Sequence, residues 1–117
     1  MNFKKEDLTQ MDTAINCLRF DDIAYYKISK ELTKKFFLEN KLIPRDHFGK
    51  ENEDYESGEI QICFNRDENM FSEALIAPVY EDYGGLVSGD VYSISDMISE
   101  NIIDMAKSDL SAKGEKA

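Results

Sequence analysis

Tryptophan is absent from these 117 residues, histidine occurs once, and cysteine and proline occur twice each. Cys17 and Cys63 form no C-x-x-C pair and no histidine cluster completes a zinc site, so the two thiols read as buried small hydrophobes. A nucleophilic Cys-His or Ser-His-Asp set would have to be built on His47, which sits between Asp46 and Phe48 in an expected loop. Nothing in the spacing brings it to Cys17, Cys63 or a serine. The only Gly-Gly step is Gly84-Gly85, so a glycine-rich phosphate loop is missing. Paired-carboxylate acid/base chemistry needs a deep pocket, which so short a chain without tryptophan does not predict. The expectation is a protein that is not an enzyme and carries no cofactor.

Long apolar runs are also missing. Lys4 and Lys5 are followed by Glu6, Asp7, Thr9 and Gln10, where a signal peptide would need an apolar stretch. No segment approaches the ~20 apolar residues of a membrane helix, and a cytoplasmic location follows as an expectation.

The most lopsided shortage is of cations. From Glu51 to Ala106 there are fourteen acids against a single base, Arg66, whereas the first fifty residues hold ten Lys or Arg against eight Asp or Glu. Nearly all of the formal charge of −10 therefore arises in the second half. An acidic surface argues against nucleic acid as a direct ligand, since duplex binding depends on neutralising phosphates, and against anionic membranes for the same reason. Residues 51–59 and Asp67-Glu68-Asn69 concentrate oxygen ligands, but neither has the alternating acids, sixth-position Gly and twelfth-position Glu of a calcium loop. No structural metal is expected.

What the chain does contain is enough apolar material for one core: 42% hydrophobic and 11% aromatic residues. Leu8, Met11, Ile15 and Leu18 recur at helical spacing and predict a first helix over about Phe3 to Cys17. Asp21 or Asp22 then caps a second, running to about Asn40 with Tyr25, Ile28, Leu32 and Phe36 on its buried face and Lys27, Lys30 and Lys34 outside. Pro44 ends it, and residues 45–58 read as an exposed acid-rich connection. Ile60, Ile62 and Phe64 alternate as in a half-buried strand, residues 71–79 suit a second strand, with a helix of the same length as the alternative, and Gly84-Gly85 reverses the chain into a third over about Leu86 to Tyr92. Ser93 and Asp96 match a capping box that opens a last helix buried through Ile94, Ile98, Ile102 and Met105. The predicted fold is α+β: two N-terminal helices, a three-stranded antiparallel sheet and one C-terminal helix. Residues 1–107 form a single domain, and 108–117 a flexible tail.

Two features point to binding. Asp96, Glu100 and Asp104 at i, i+4 and i+8 stack three like charges on one helical line, which stability alone does not favour. The triplet Glu53-Asp54-Tyr55, followed by Glu56, recurs as Glu81-Asp82-Tyr83 after Tyr80, and tyrosines provide rigid amphipathic contact area at binding hot spots. Tyrosines beside turns also serve to cap a core edge. The expected partner-binding set is thus Glu53, Asp54, Tyr55, Glu56, Tyr80, Glu81, Asp82, Tyr83, Asp96, Glu100 and Asp104.

In size, acidity and its aromatic-dotted acidic loops, the chain resembles the small immunity proteins of bacterial toxin–immunity systems, including contact-dependent growth inhibition. The resemblance implies a protein inhibitor that neutralises a cognate basic toxin, a nuclease whose phosphate-holding groove a carboxylate surface would plug. A nucleic-acid-mimicking inhibitor of restriction or CRISPR effectors is the alternative, although the slightly basic N-terminal half departs from it. An acidic adaptor subunit without inhibitory role is the third reading.

Overall fold

The computed structural model describes residues 3–11, 22–65, 67 and 70–115, the last four of these as backbone alone. Six antiparallel strands form one sheet: β1 (Thr9–Met11), β2 (Ile23–Ile28), β3 (Ser57–Asn65), β4 (Met70–Asp82), β5 (Gly85–Ser88) and β6 (Tyr92–Ser93). The first five follow one another across the sheet in chain order, and β6 adds to the same edge of β4 as β5. Two helices, α1 (Lys30–Glu39) and α2 (Glu100–Glu115), complete the architecture.

This corrects the expected two N-terminal helices and three-stranded sheet. Lys5–Asp7 makes only a 3-10 turn, and Thr9–Met11 pairs with Lys27, Tyr26 and Tyr25 as an edge strand. The remainder of the expected first helix lies outside the described residues. The expected second helix divides at Ser29: Ile23–Ile28 is a strand, and helix starts only at Lys30. Ile, Ala, Tyr, Tyr and Ile suit a pleated surface packed on both sides, and Ala24, Tyr25, Tyr26 and Ile28 are all buried. Tyr25 and Ile28 match a helical stripe with Leu32 and Phe36 only because a short apolar run satisfies both periods. Ser29 supplies the boundary, accepting a hydrogen bond from Leu32 N–H on its hydroxyl at 3.1 Å. At the other end Leu42 N–H reaches Phe37 O and Lys41 N–H reaches Leu38 O, with Lys41 left-handed at φ 54°, the paired bonds of a Schellman cap.

Both helices cover one face of the sheet. Ala24, Tyr26, Ile28, Ile60, Ile62, Ala74 and Ile76 meet Phe36 and Phe37 of α1 and Ile102, Ile103 and Ala106 of α2 in one cluster. A Cβ on Gly58 would stand 2.5 Å from Thr33 Oγ1, so glycine lets α1 lie close on β3. The Tyr26 hydroxyl donates to Asp109 and ties α2 to β2. On the opposite face Tyr25, Ser57, Ala77 and Val79 are also buried, as is Glu59, which is only 1% exposed and accepts from Gln61 Nε2 at 2.9 Å. One of the fourteen acids is therefore removed from the surface.

The third expected strand divides into β5 and β6, interrupted at Gly89, Asp90 and Val91. The last helix begins later than its capping-box signal: Ser95–Met97 is a 3-10 turn, α2 opens at Glu100, and it continues helical through residues 108–115, where a frayed tail was expected. No helix among the described residues is long and apolar enough to cross a membrane.

Candidate protein-binding surface

Strand β3 starts where β4 ends. Ser57 faces Val79 and Glu56 N–H donates to Val79 O at 2.7 Å, so the chain entering β3 through Glu53, Asp54 and Tyr55 passes beside Tyr80, the residue before Glu81. The two Glu-Asp-Tyr triplets, 28 positions apart, lie at one end of the sheet. Their tyrosines do different things. Tyr55 and Tyr80 are buried, edge to face at 6.3 Å, with Phe37 a further 6.0 Å from Tyr55. Burial pushes both phenols above the ordinary tyrosine range, with Glu53 adding to it for Tyr55 and Asp46 for Tyr80. These two rings fasten the core edge. Tyr83, by contrast, is 81% exposed.

Tyr83 owes its position to the turn. Asp82 pairs with Gly85, leaving Tyr83 and Gly84 as a two-residue hairpin loop with φ 52° and 76°, the pattern of a type I′ turn. Next to it stands a second turn formed by residues 45–51. Arg45 bridges Glu51, Asp46 N–H donates to Lys50 O at 2.8 Å, and Gly49 takes φ 78°. Asp46 Oδ1 accepts from Phe48 N–H at 2.9 Å and Lys50 N–H at 3.1 Å. Partial desolvation acts to raise the Asp46 carboxyl, but those N–H groups, Asn52 and nearby His47 outweigh it and hold it below the usual range. The turn is docked on the sheet by Asp90 N–H to Arg45 O at 3.1 Å and by the Tyr92 hydroxyl to Ile43 O.

Docking places His47 Nε2 3.3 Å from Asp82 Oδ2, its ring 4.1 Å from Phe48 and 6.0 Å, edge on, from Tyr83. Lys30 and Lys34 of α1 line one cavity with Glu53, Asp54 and Tyr55, so part of the acidic charge at this end has cations close by. Of the large apolar side chains that stand exposed, Ile43, Phe48, Tyr83, Leu86 and Val91 all belong to these two turns and their flanks. Across residues 44–56 and 79–92, eight acids accompany two bases, Arg45 and Lys50. Exposed apolar tips within a carboxylate rim are what a binding surface offers and a purely solvating face does not.

Not every expected residue joins this surface. Glu81 is exposed next to it, Asp82 is half-buried against His47, and Tyr83 forms its tip, whereas Glu53 and Asp54 are exposed on the side of Lys30 and Lys34 of α1, and Glu56 beside Lys27 and Lys30 at the start of that helix. Asp96, Glu100 and Asp104 lie elsewhere. Ile94 N–H bonds Ala74 O, which places this segment beside residue 74, seven positions and about 23 Å along β4 from Glu81. Since Asp96 is in the 3-10 turn and α2 opens at Glu100, the three-carboxylate helical line does not form. His47, expected as an exposed loop histidine, and Phe48 are part of the surface. The available signal was Asp46 followed three positions later by Gly49, the residues of an aspartate-closed turn.

Among the described residues no group of three or more His, Cys, Asp or Glu is arranged to hold a metal. The chain matches no family model, no curated protein and no solved structure.

Proposed function

We propose that the protein is an inhibitor of the immunity type that binds a basic protein, a nuclease toxin, through the end of the sheet where residues 51–56 meet residues 80–83. The observation that carries this reading is the gathering of exposed Phe48 and Tyr83 with Asp82 around His47, in two segments that hold eight acids against two bases. Carboxylates gathered around an apolar centre suit the cationic groove of a nuclease, which is lined to hold phosphates. The rim accelerates encounter and the apolar tips slow dissociation. The nucleic-acid mimic is less well supported, because α1 exposes Lys30, Lys34 and Lys35 where a mimic would spread acids over much of the surface.

The test is neutralisation of the product of the gene directly upstream of this chain's own, which the proposal expects to be a basic nuclease. An equimolar amount of the protein should suppress its nuclease activity, and a Glu53→Lys, Glu81→Lys double variant should fail while keeping its circular dichroism and melting temperature. The association rate should fall steeply between low and high salt. A folded double variant that still protects, or an association rate indifferent to salt, removes this site from the proposal.

A further inference from the structure

We propose that Tyr83, Phe48 and Asp82 form a subsite for one arginine side chain on the partner's surface; this deepens the inhibitor reading and rests on it. The argument begins with a residue in a position that stability does not favour. The first central position of a type I′ turn needs positive φ, and Asn, Asp and Gly fill it at little cost, whereas a bulky aromatic residue there is strained. Tyr83 holds φ 52° and leaves its ring 81% exposed, with the edge of His47 6.0 Å away as its ring neighbour. The ring contributes almost nothing to the core, so its value lies in what it presents outward.

Three partly or largely exposed groups gather around His47. Phe48 is 62% exposed and its ring centre lies 4.1 Å from that of His47, so the imidazole neighbours two open aromatic rings. Asp82 is fixed at their base: Oδ1 accepts from Tyr83 N–H at 2.9 Å, and Oδ2 lies 3.3 Å from His47 Nε2. Its side chain nevertheless remains 39% exposed. A carboxylate has about four acceptor sites, so two stay open towards an incoming donor.

Aromatic faces beside an anchored carboxylate select a planar cation. A guanidinium stacks on the ring and donates an N–H fork to the carboxylate at once, whereas an ammonium is a compact, strongly hydrated point charge that uses the carboxylate alone. The excess of acids in the two segments repels an anionic occupant. Because the carboxylate is already held by Tyr83 N–H and His47, little of its freedom is lost on capture.

The experiment is an NMR titration of the intact ¹⁵N-labelled protein with a tetra-arginine and a tetra-lysine peptide at physiological salt. Saturable shifts centred on Phe48, Asp82, Tyr83 and Gly84 are expected, with the arginine peptide binding roughly two- to fivefold tighter, the scale of an exposed cation–π contact. Tyr83→Asn should relieve the turn and raise the melting temperature by about 2–6 °C while abolishing the arginine preference. Tyr83→Phe should retain that preference. Equal affinity for both peptides, no saturable shift with either, or an arginine preference surviving Tyr83→Asn would overturn the subsite. Failure of the subsite with salt-dependent toxin neutralisation intact leaves the inhibitor reading standing. An intact arginine preference without neutralisation does the reverse.

Discussion

The Tyr80 hydroxyl donates a 2.7 Å hydrogen bond to the carbonyl of Asn52, a contact that spans 28 positions of sequence and fastens the turn-bearing loop to the end of β4. It is the polar half of a joint whose apolar half is the edge-to-face contact of Tyr80 with Tyr55. Tyr80→Phe keeps the ring and removes the bond, leaving a partly buried carbonyl without this donor. A loss of about 1 kcal/mol in unfolding free energy is expected. Faster amide exchange at Asn52 and its neighbours should accompany it, because the loop loosens before the sheet does. Unchanged exchange across residues 45–54 would show that the loop is held by its other contacts.

Gly89 is the second fastening. A Cβ built there would stand 2.0 Å from Arg45 O and 2.9 Å from Tyr80 Cε2, and the carbonyl belongs to the backbone of the docked turn. Gly89→Ala must therefore displace the 45–51 turn from the sheet, breaking the Asp90 to Arg45 bond and moving His47 away from Asp82. A cost of roughly 1–3 kcal/mol follows from overpacking. Gly85→Ala is the control: a Cβ there has nothing within 4 Å, and stability should change by less than about 0.5 kcal/mol. Chemical denaturation of the two variants measures the difference, and equal stabilities would contradict the close approach.

Acid should open the same turn. The Asp46 carboxyl is held below its ordinary range because backbone N–H groups of Lys50 and Phe48, Asn52 and His47 outweigh its partial desolvation. A carboxyl depressed in the folded state contributes stability that is fully present above its unfolded pKa, about 3.9, and is lost as pH falls through the folded value. The Phe48 and Lys50 amide resonances should thus shift together with a midpoint below about pH 3.9. Asp46→Ala should give similar positions at neutral pH. A midpoint at or above the ordinary aspartate value would refute the assignment of Asp46 as the turn's organiser.

How far residue patterns reach is clear from particular segments. Ile60, Ile62 and Phe64 alternate with polar residues on a single strand, and period two identified it correctly. Ile23–Ile28 was misread because its neighbours on both faces are apolar, which erases the alternation that tells strand from helix. For the surface, the acidic triplets were legible as a repeated motif, but their placement at one end of the sheet depends on the β3–β4 register, a long-range property. Composition also cannot separate Glu59, turned into the protein, from Glu81, which is exposed four positions along β4 from the Ala77 that faces Glu59. Lines of like charge such as Asp96, Glu100 and Asp104 presuppose helix boundaries, and a helix that opens at Glu100 and not at Ile94 leaves Asp96 off the line.

Cys63 offers a check on the other face of the sheet. Burial chiefly, then the carboxylates of Glu73 and Asp22, pushes its thiol up to about 11. The thiolate is the reactive form, so at pH 8 alkylation in a Cys17→Ser background should run roughly a hundredfold slower than for a free thiol. Denaturant should restore the ordinary rate. Because the folded pKa is raised, the thiol's contribution to stability is complete below the unfolded pKa and is lost as pH rises towards about 11. Glu73→Gln removes one of the two charges across the β3–β4 pair without touching the core, and should speed alkylation while leaving the melting temperature at pH 7 unchanged. Fast alkylation of the native protein would mean that Cys63 sits in a more open and less anionic setting than its strand position dictates.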